Sequence, residues 1–270
     1  MRVGCQCITR RCSWESRSTS RLDDDMNNAK LGQDERLPLY QRLSDEILAR
    51  IASGEWLPGQ SIPTEAELTK LYGVAIGTVR KAVDTLVSEG LLERSQGRGT
   101  FVRRPSFNAS FFRFFRQIDS SGSQAVPTSQ VLSRTLEQPP QAVIHALILK
   151  KHEQVVHLER VRVIEGQRKF YEDIWLPGSK FSSLLDVEPS RFGNLLYPFY
   201  EQQCGQHVAS AQETLTVESA SAETARILEI EEGKPVVVIE RIALGYDRLP
   251  IEYRVSRGAA EGFRYQVEIT

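Results

Sequence analysis

Between Pro38 and Val102 the apolar residues change period once, and that change limits what the stretch can become. Leu43, Ile47, Leu48 and Ile51 recur at helical spacing, and Gly54 ends the run. Leu57-Pro58-Gly59-Gln60 reads as a turn. Thr64-Glu65-Ala66-Glu67 fits a capping box, with Thr64 and Glu67 each able to satisfy the other's backbone amide. Leu68 and Leu71 give that short helix its apolar face, and Gly73-Val74 turns the chain into a third helix. There Val79, Ala82, Val83, Leu86 and Val87 share one face, closed by Gly90. The period then drops to two: Leu91 to Arg94 and Thr100 to Arg103 flank Ser95-Gln96-Gly97-Arg98-Gly99, a hairpin signature. A helix, a helix-turn-helix and a hairpin in that order make a winged helix.

Charge bears on whether such a unit meets nucleic acid. The 270 residues carry 34 basic and 35 acidic side chains, a net charge of −1 that argues against a uniformly cationic protein. The balance is uneven, however. Residues 75–104 hold six basic and three acidic side chains, while 106–270 hold 18 and 21. On the third helix Gly77, Thr78, Arg80, Lys81 and Asp84 lie off the apolar stripe. Arg80 leaves the first turns, where a recognition helix meets base edges. An arginine there can grip guanine through O6 and N7, worth about 1–3 kcal/mol of base discrimination. Gly77 permits close backbone approach, and the Gly97 and Gly99 amides are free to meet phosphate beside Arg98. The Gly-Arg-Gly turn precedes no helix and lacks a Lys-Ser/Thr ending, so it is not a nucleotide-binding P-loop.

The same residues carry a family resemblance. Pro-Leu-Tyr-Gln at 38–41, Ile-Ala-Ser-Gly-Glu at 51–55, Leu-Pro-Gly at 57–59 and Ile-Pro-Thr-Glu at 62–65 resemble the GntR family of bacterial transcription regulators. So do Tyr-Gly-Val at 72–74, Thr-Val-Arg-Lys-Ala at 78–82, Glu-Gly-Leu-Leu at 89–92 and Gln-Gly-Arg-Gly-Thr-Phe-Val at 96–102. The resemblance implies operator contacts from Gly77, Thr78 and Arg80 and, on the wing, from Gln96, Gly97 and Arg98. Thr64, Glu65, Ile76, Lys81 and Gly99 complete the expected DNA-facing set. Two positions depart from the family pattern. Ala66 stands where an arginine is frequent, and Ala75-Ile76 replaces a Ser/Thr-Arg pair, which removes both an N-cap and a base-reading arginine. The operator then differs from the family's commonest one, or Ile76 reads a thymine methyl.

Beyond Pro105 comes a linker and aromatic segment, 105–125, with the run Phe111-Phe112-Arg113-Phe114-Phe115-Arg116. It suits a core or dimer contact, or a pocket wall with an arginine facing an anion. From 126 the pattern predicts strands near 126–137, 155–164, 168–176, 208–218, 235–244, 249–257 and 263–269, and helices near 139–148, 181–186, 193–204 and 221–228. Turns at Glu165-Gly166 and Tyr246-Asp247 favour a mainly antiparallel sheet with helices on one side, an α+β domain. Alternation along 155–164 puts Arg160 and Arg162 on one face with Val156, Leu158 and Ile164. Buried cations need partners. Internal carboxylates such as Glu172 are one choice, and an anionic ligand gripped by paired guanidinium groups is the other.

This second unit, 126–270, resembles the UTRA effector-binding domain of the HutC subfamily, which has a chorismate-lyase-like fold. The matching stretches are Leu-Glu-Arg-Val-Arg at 158–162, Gly166, Glu172 to Pro177 and Tyr197 to Gly205. Ala222 to Leu228, 233–241 and Leu-Pro-Ile-Glu-Tyr at 249–253 complete them. The resemblance implies an effector pocket lined by Arg160, Arg162, Glu172 and Glu252, to which Arg113, Phe114, Phe115 and Tyr197 are added. Members that bind phosphosugars place Ser/Thr where this chain has Phe114-Phe115 and Leu195, so a small carboxylate or aromatic acid suits the pocket better.

Cys5, Cys7 and Cys12 sit in a leader, 1–36, without apolar periodicity, and Cys204 is alone in the body. That usage fits a reducing compartment, not a disulfide framework. The leader reads as disordered and has no signal-peptide core, and Met26 is a second candidate start. A lyase-like fold raises the alternative of a small-molecule-binding enzyme with an accessory winged helix. His145, His152, His157 and His207 form no HxxxH or triad spacing, and no catalytic residue, metal or cofactor is expected. The expectation is a cytoplasmic, homodimeric, ligand-responsive regulator, a repressor, that binds palindromic operator DNA under an anionic effector.

Overall fold

A computed structural model of the chain describes residues 35–105, 128–261 and 263. The leader through residue 34, the segment 106–127 with Arg113, Phe114 and Phe115, and the strand expected at 263–269 lie outside the described residues, apart from Phe263. Helix α1, Leu39–Ala52, follows Pro38 and turns Leu43, Ile47, Leu48 and Ile51 inward. Helix α2, Glu65–Tyr72, starts on the capping box: Glu67 Oε2 accepts from the Thr64 amide at 2.7 Å, and the Glu67 amide donates to Thr64 Oγ1 at 3.3 Å. It ends at Gly73 with φ 63°, the left-handed conformation that favours glycine. Helix α3, Ile76–Ser88, has no side-chain cap at Ala75. Its Val79, Ala82, Val83 and Leu86 close the head's core against α1 and Leu68.

The wing is strands β1, Leu92–Ser95, and β2, Gly99–Val102, in register from Leu92↔Val102 to Ser95↔Gly99. A short stretch with no strand periodicity of its own joins it. The Ile62 amide donates to the Thr100 carbonyl at 2.9 Å, the Gly59 amide to Val102 at 2.8 Å, and Ser61 bridges Phe101. The turn at Pro58-Gly59 thus feeds a third, minimal strand onto the wing.

The described residues of the second unit form a six-stranded sheet, every neighbouring pair antiparallel, in the order β3-β4-β5-β8-β7-β6. The strands are β3 Thr128–Glu137, β4 Val155–Ile164, β5 Gln167–Pro177, β6 Ser210–Ser219, β7 Pro235–Leu244 and β8 Pro250–Ala259. Helices α4, Gln141–Leu147, α5, Gly178–Phe181, α6, Leu196–Cys204, and α7, Ala222–Leu228, pack on it, with 3-10 turns at Ser182–Asp186 and Pro189–Arg191.

The helices do not share one side, as the loop lengths had suggested. Leu158, Ile174 and Leu176 pack under Phe181, Leu184, Tyr197 and Tyr200 on one face. Val161, Tyr171 and Val255 pack under Ala225, Ile227 and Leu228 of α7 on the other, next to Val143 and Leu147 of α4. Both faces of β4 and β5 are therefore covered, and side chains of either parity along β4 are buried or half-buried.

Head and sensor meet at the β7–β8 turn. Tyr246 is buried in the head's apolar cluster, and its hydroxyl donates to the Arg103 carbonyl. Arg248, at φ 60°, reaches Asp45 on α1 at 3.2 Å and Glu89 at the end of α3 at 2.5 Å.

Candidate DNA-reading surface and effector cavity

On the outer face of the head, Ile76, Gly77, Arg80, Lys81, Gln96, Gly97, Arg98 and Gly99 are exposed, and Thr78 is half-buried. Beyond its own helix backbone and chain neighbours, a methyl group added at Gly77 would meet nothing among the described residues within 4 Å, so the space the glycine leaves is open to a partner. Arg80 is exposed, and its Nε pairs with Glu65 Oε2 at 2.8 Å, a solvent-screened contact that a base edge can take over. Glu65 also takes Arg94 at 3.4 Å, and Arg94 reaches Asp84 at 2.6 Å. Glu65 at the start of α2 thus holds Arg80 and Arg94 in the free head. The Thr64 hydroxyl is engaged within its cap, donating to Glu67 at 2.8 Å. Lys81 Nζ sits 4.0 Å from the centre of the Tyr40 ring, toward α1. Arg98 at the wing tip lies over Phe101. The recess between the start of α2 and the wing holds about 950 Å³ and is lined by Thr64, Glu65, Lys70, Arg94, Gln96 and Arg98.

The sensor's inner face is built on guanidinium–carboxylate pairs. Alternation on β4 aims Arg160 and Arg162 at the same carboxylate: Arg160 Nε lies 2.6 Å and Arg162 Nε 3.3 Å from Glu172 Oε2 on β5. Arg162 also donates to Ser129 Oγ at 2.8 Å and to the Asn194 carbonyl at 2.5 Å. On β8, Arg254 donates to Glu252 at 2.7 Å, and Glu252 accepts from Tyr200 at 2.7 Å and Tyr197 at 3.1 Å. Arg241 of β7 holds Glu213 of β6 and donates to the Tyr197 hydroxyl at 3.1 Å. Arg241 and Arg254 are direct cross-strand neighbours.

These contacts decide the titration of the cluster. Burial drives the Arg162 guanidinium down to about 9, helped by neighbouring Arg160 and opposed by Glu172, so it remains a cation at neutral pH. Burial alone would raise Glu172, but Arg160, Arg162 and Arg254 outweigh it and hold that carboxyl well below the usual range. Glu252 is held low in the same way, against its burial, by Arg254 and by Tyr200. Neither carboxyl keeps a proton to donate near neutrality. The Arg254 Nε and Arg160 Nη1 donors are buried with no hydrogen-bond partner among the described residues.

Above this layer opens a cavity of about 390 Å³, lined by Arg162, Tyr197, Arg241 and Arg254 of the sensor. Of the expected effector residues, Arg162 and Tyr197 form its wall. Arg160, Glu172 and Glu252 lie one layer beneath, buried, and orient that wall. Arg241 and Arg254 join the wall beyond the expected set: Arg241 stands on the otherwise apolar face of β7, whereas Arg254 shares its face of β8 with Glu252 and Ser256. Pro58, Arg104 and Pro105 of the head close the other side. Among the described residues no group of three or more ligating side chains is placed to hold a metal ion, and no helix is long and apolar enough to cross a membrane.

Comparison with known proteins agrees with this division. Residues 39–102 match the family described as "Bacterial regulatory proteins, gntR family", and residues 122–264 match the UTRA domain. The chain is 28% identical over 213 residues to the probable fructoselysine utilization operon transcriptional repressor of Escherichia coli K12, covering 79% of this chain and 87% of that protein. It is also 28% identical over 221 residues to the mannosyl-D-glycerate transport/metabolism system repressor MngR of the same organism, covering 77% and 85%. Among solved structures, PhnF from Mycobacterium smegmatis shares the fold with a TM-score of 0.50 and 22% identity, over 86% of this chain and 99% of that one. A winged helix with an arginine-bearing recognition helix, joined to an effector-type sheet domain, is the architecture of a ligand-responsive transcription regulator, and the chain belongs to the GntR family in its UTRA-bearing, HutC-type branch.

Proposed function

We propose that this regulator is a homodimeric repressor that reads a palindromic operator and is controlled by a small anionic effector, a carboxylate, in the cavity between sensor and head. The observation that carries the reading is the wall of Arg162, Arg241 and Arg254 around 390 Å³ of space, backed by carboxylates that are already paired. Guanidinium groups so fixed select an anion by charge and fork geometry. Two relatives are named for sugar conjugates, mannosyl-D-glycerate and fructoselysine, and both molecules carry a carboxylate. Arg80, held by Glu65 in the free head, reads bases in the major groove, Gly77 and Thr78 lie against the backbone, and Gln96 to Gly99 contact the flanking phosphates. A regulator of bacterial promoters works in the cytoplasm.

Footprinting of the full chain on the region upstream of its own gene tests this. Two protected half-sites separated by about one helical turn, 34–36 Å, are the expected pattern. Release should follow addition of D-glycerate or another small carboxylate. A single asymmetric half-site would remove the dimer, and protection untouched by any anion would remove the effector reading.

A further inference from the structure

We propose that Arg104, a residue of the DNA-reading head, is itself an effector-contacting residue, for which the bound anion and Glu201 compete. This rests on the reading of the cavity as an anion site. The three sensor arginines on the wall are held in place: Arg162 by Glu172 and the Asn194 carbonyl, Arg241 by Glu213, Arg254 by Glu252. Arg104 enters from the other domain and is held differently. Its Nη2 meets Glu201 of α6 at 2.9 Å while its side chain remains 63% exposed. A solvent-screened pair of that kind exchanges partners at little cost. The guanidinium cannot wander far, because the Tyr246 hydroxyl clamps the preceding carbonyl of Arg103 and Pro105 biases Arg104 toward extended backbone. It is therefore delivered to the cavity mouth by the fold of the seam.

An anion on Arg162, Arg241 and Arg254 adds a second acceptor within the cavity that Arg104 also lines. When Arg104 turns to it, Glu201 is left facing His207, whose Nδ1 lies 3.5 Å away. The residue that moves belongs to the strand exit of the wing, so effector occupancy and head position become one equilibrium. Linkage then requires the reverse as well: a head position that withdraws Arg104 weakens the effector.

The test is calorimetric titration of the full chain with D-glycerate, benzoate, glucose 6-phosphate and inorganic phosphate. The tightest of the four then serves as probe for the variants. Arg104→Gln should weaken that probe about tenfold, the loss of one charged hydrogen bond. Glu201→Gln should tighten it about threefold, because the competing acceptor is gone. The opposite signs are diagnostic, since damage to the seam would weaken binding in both variants, and that result overturns the proposal. It is also overturned if both variants bind within about twofold of wild type while Arg241→Gln loses the probe; the cavity reading then survives alone. If none of the four anions binds the wild-type chain, the anion site fails and Arg104 falls with it.

Discussion

At the scale of single residues, Glu172 is the pivot of the sensor. One buried carboxylate accepts from Arg160 and Arg162, lies 3.6 Å from Arg254 Nη1, and takes the Ser256 hydroxyl at 3.4 Å. Removing its charge takes from the buried Arg160 and Arg162 the carboxylate they share, while Arg254 keeps Glu252, and breaking such a pair costs about 3–5 kcal/mol. Glu172→Gln should therefore destabilise the domain by about 3 kcal/mol at pH 7. The sign of the pH dependence follows from the direction of the shift. A carboxyl held below its unfolded value, about 4.3, contributes stability that is fully present above that pH and is lost as pH falls toward the folded value. Chemical denaturation at stepped pH should show the wild type losing stability below about pH 4. Glu172→Gln should lose less over the same range. Parallel acid limbs for the two proteins would mean that Glu172 does not carry this linkage.

At the scale of elements, β6 is the strand that asks for a partner. Among the described strands it is a sheet edge, ten residues long, and apart from the half-buried Glu213 it is exposed throughout, with Leu215 at 43% and Val217 at 64%. Long exposed edges with apolar side chains invite pairing by another chain, and the proposed two-fold supplies one. Leu215→Lys should raise the dimer dissociation constant by at least about tenfold. Analytical ultracentrifugation reads this directly, and an unchanged dimer would move the interface elsewhere. The elements were legible where one signal sufficed. The capping box at Thr64 and Glu67, the apolar stripe of α3 and the glycines of the wing each announce their element locally. The strand at 59–62 did not, because Ile62 is its single apolar residue and its hydrogen bonds come from the wing. Nor could the stripes of α4 and α7 say which sheet face they cover, since period alone marks an apolar side without naming what it meets. Arg160 and Arg162 stood out because they sit two apart on one strand. Arg241 and Arg254 are neighbours across strands, and that register is invisible along the chain. Arg104 joins the cavity through contact between domains, which no local pattern records.

At the scale of the whole molecule, the question is what holds the head to the sensor, and magnitudes separate the candidates. Arg248 makes two ion pairs, with Asp45 and Glu89, but all three side chains are 38–47% exposed. Pairs so wet contribute about 0–1 kcal/mol each and fade with salt. Tyr246 is 2% exposed, packs in the head's apolar cluster although it belongs to the sensor, and donates to the Arg103 carbonyl. Truncating a buried aromatic costs about 3–5 kcal/mol, so the ring, not the ion pairs, should decide whether the two units behave as one. Calorimetry of the full chain should accordingly show one transition for wild type and for Arg248→Ala, the latter shifted by only a degree or two at low salt and not at all at about 0.5 M salt. Tyr246→Ala should split the trace into separate head and sensor transitions, and Tyr246→Phe, which keeps the ring and loses only the hydroxyl, should not. A head that stays coupled in Tyr246→Ala but separates in Arg248→Ala would invert this order and make the seam electrostatic. In that case coupling between effector and operator would weaken steeply with ionic strength, whereas an aromatic seam leaves operator binding as the main salt-sensitive step.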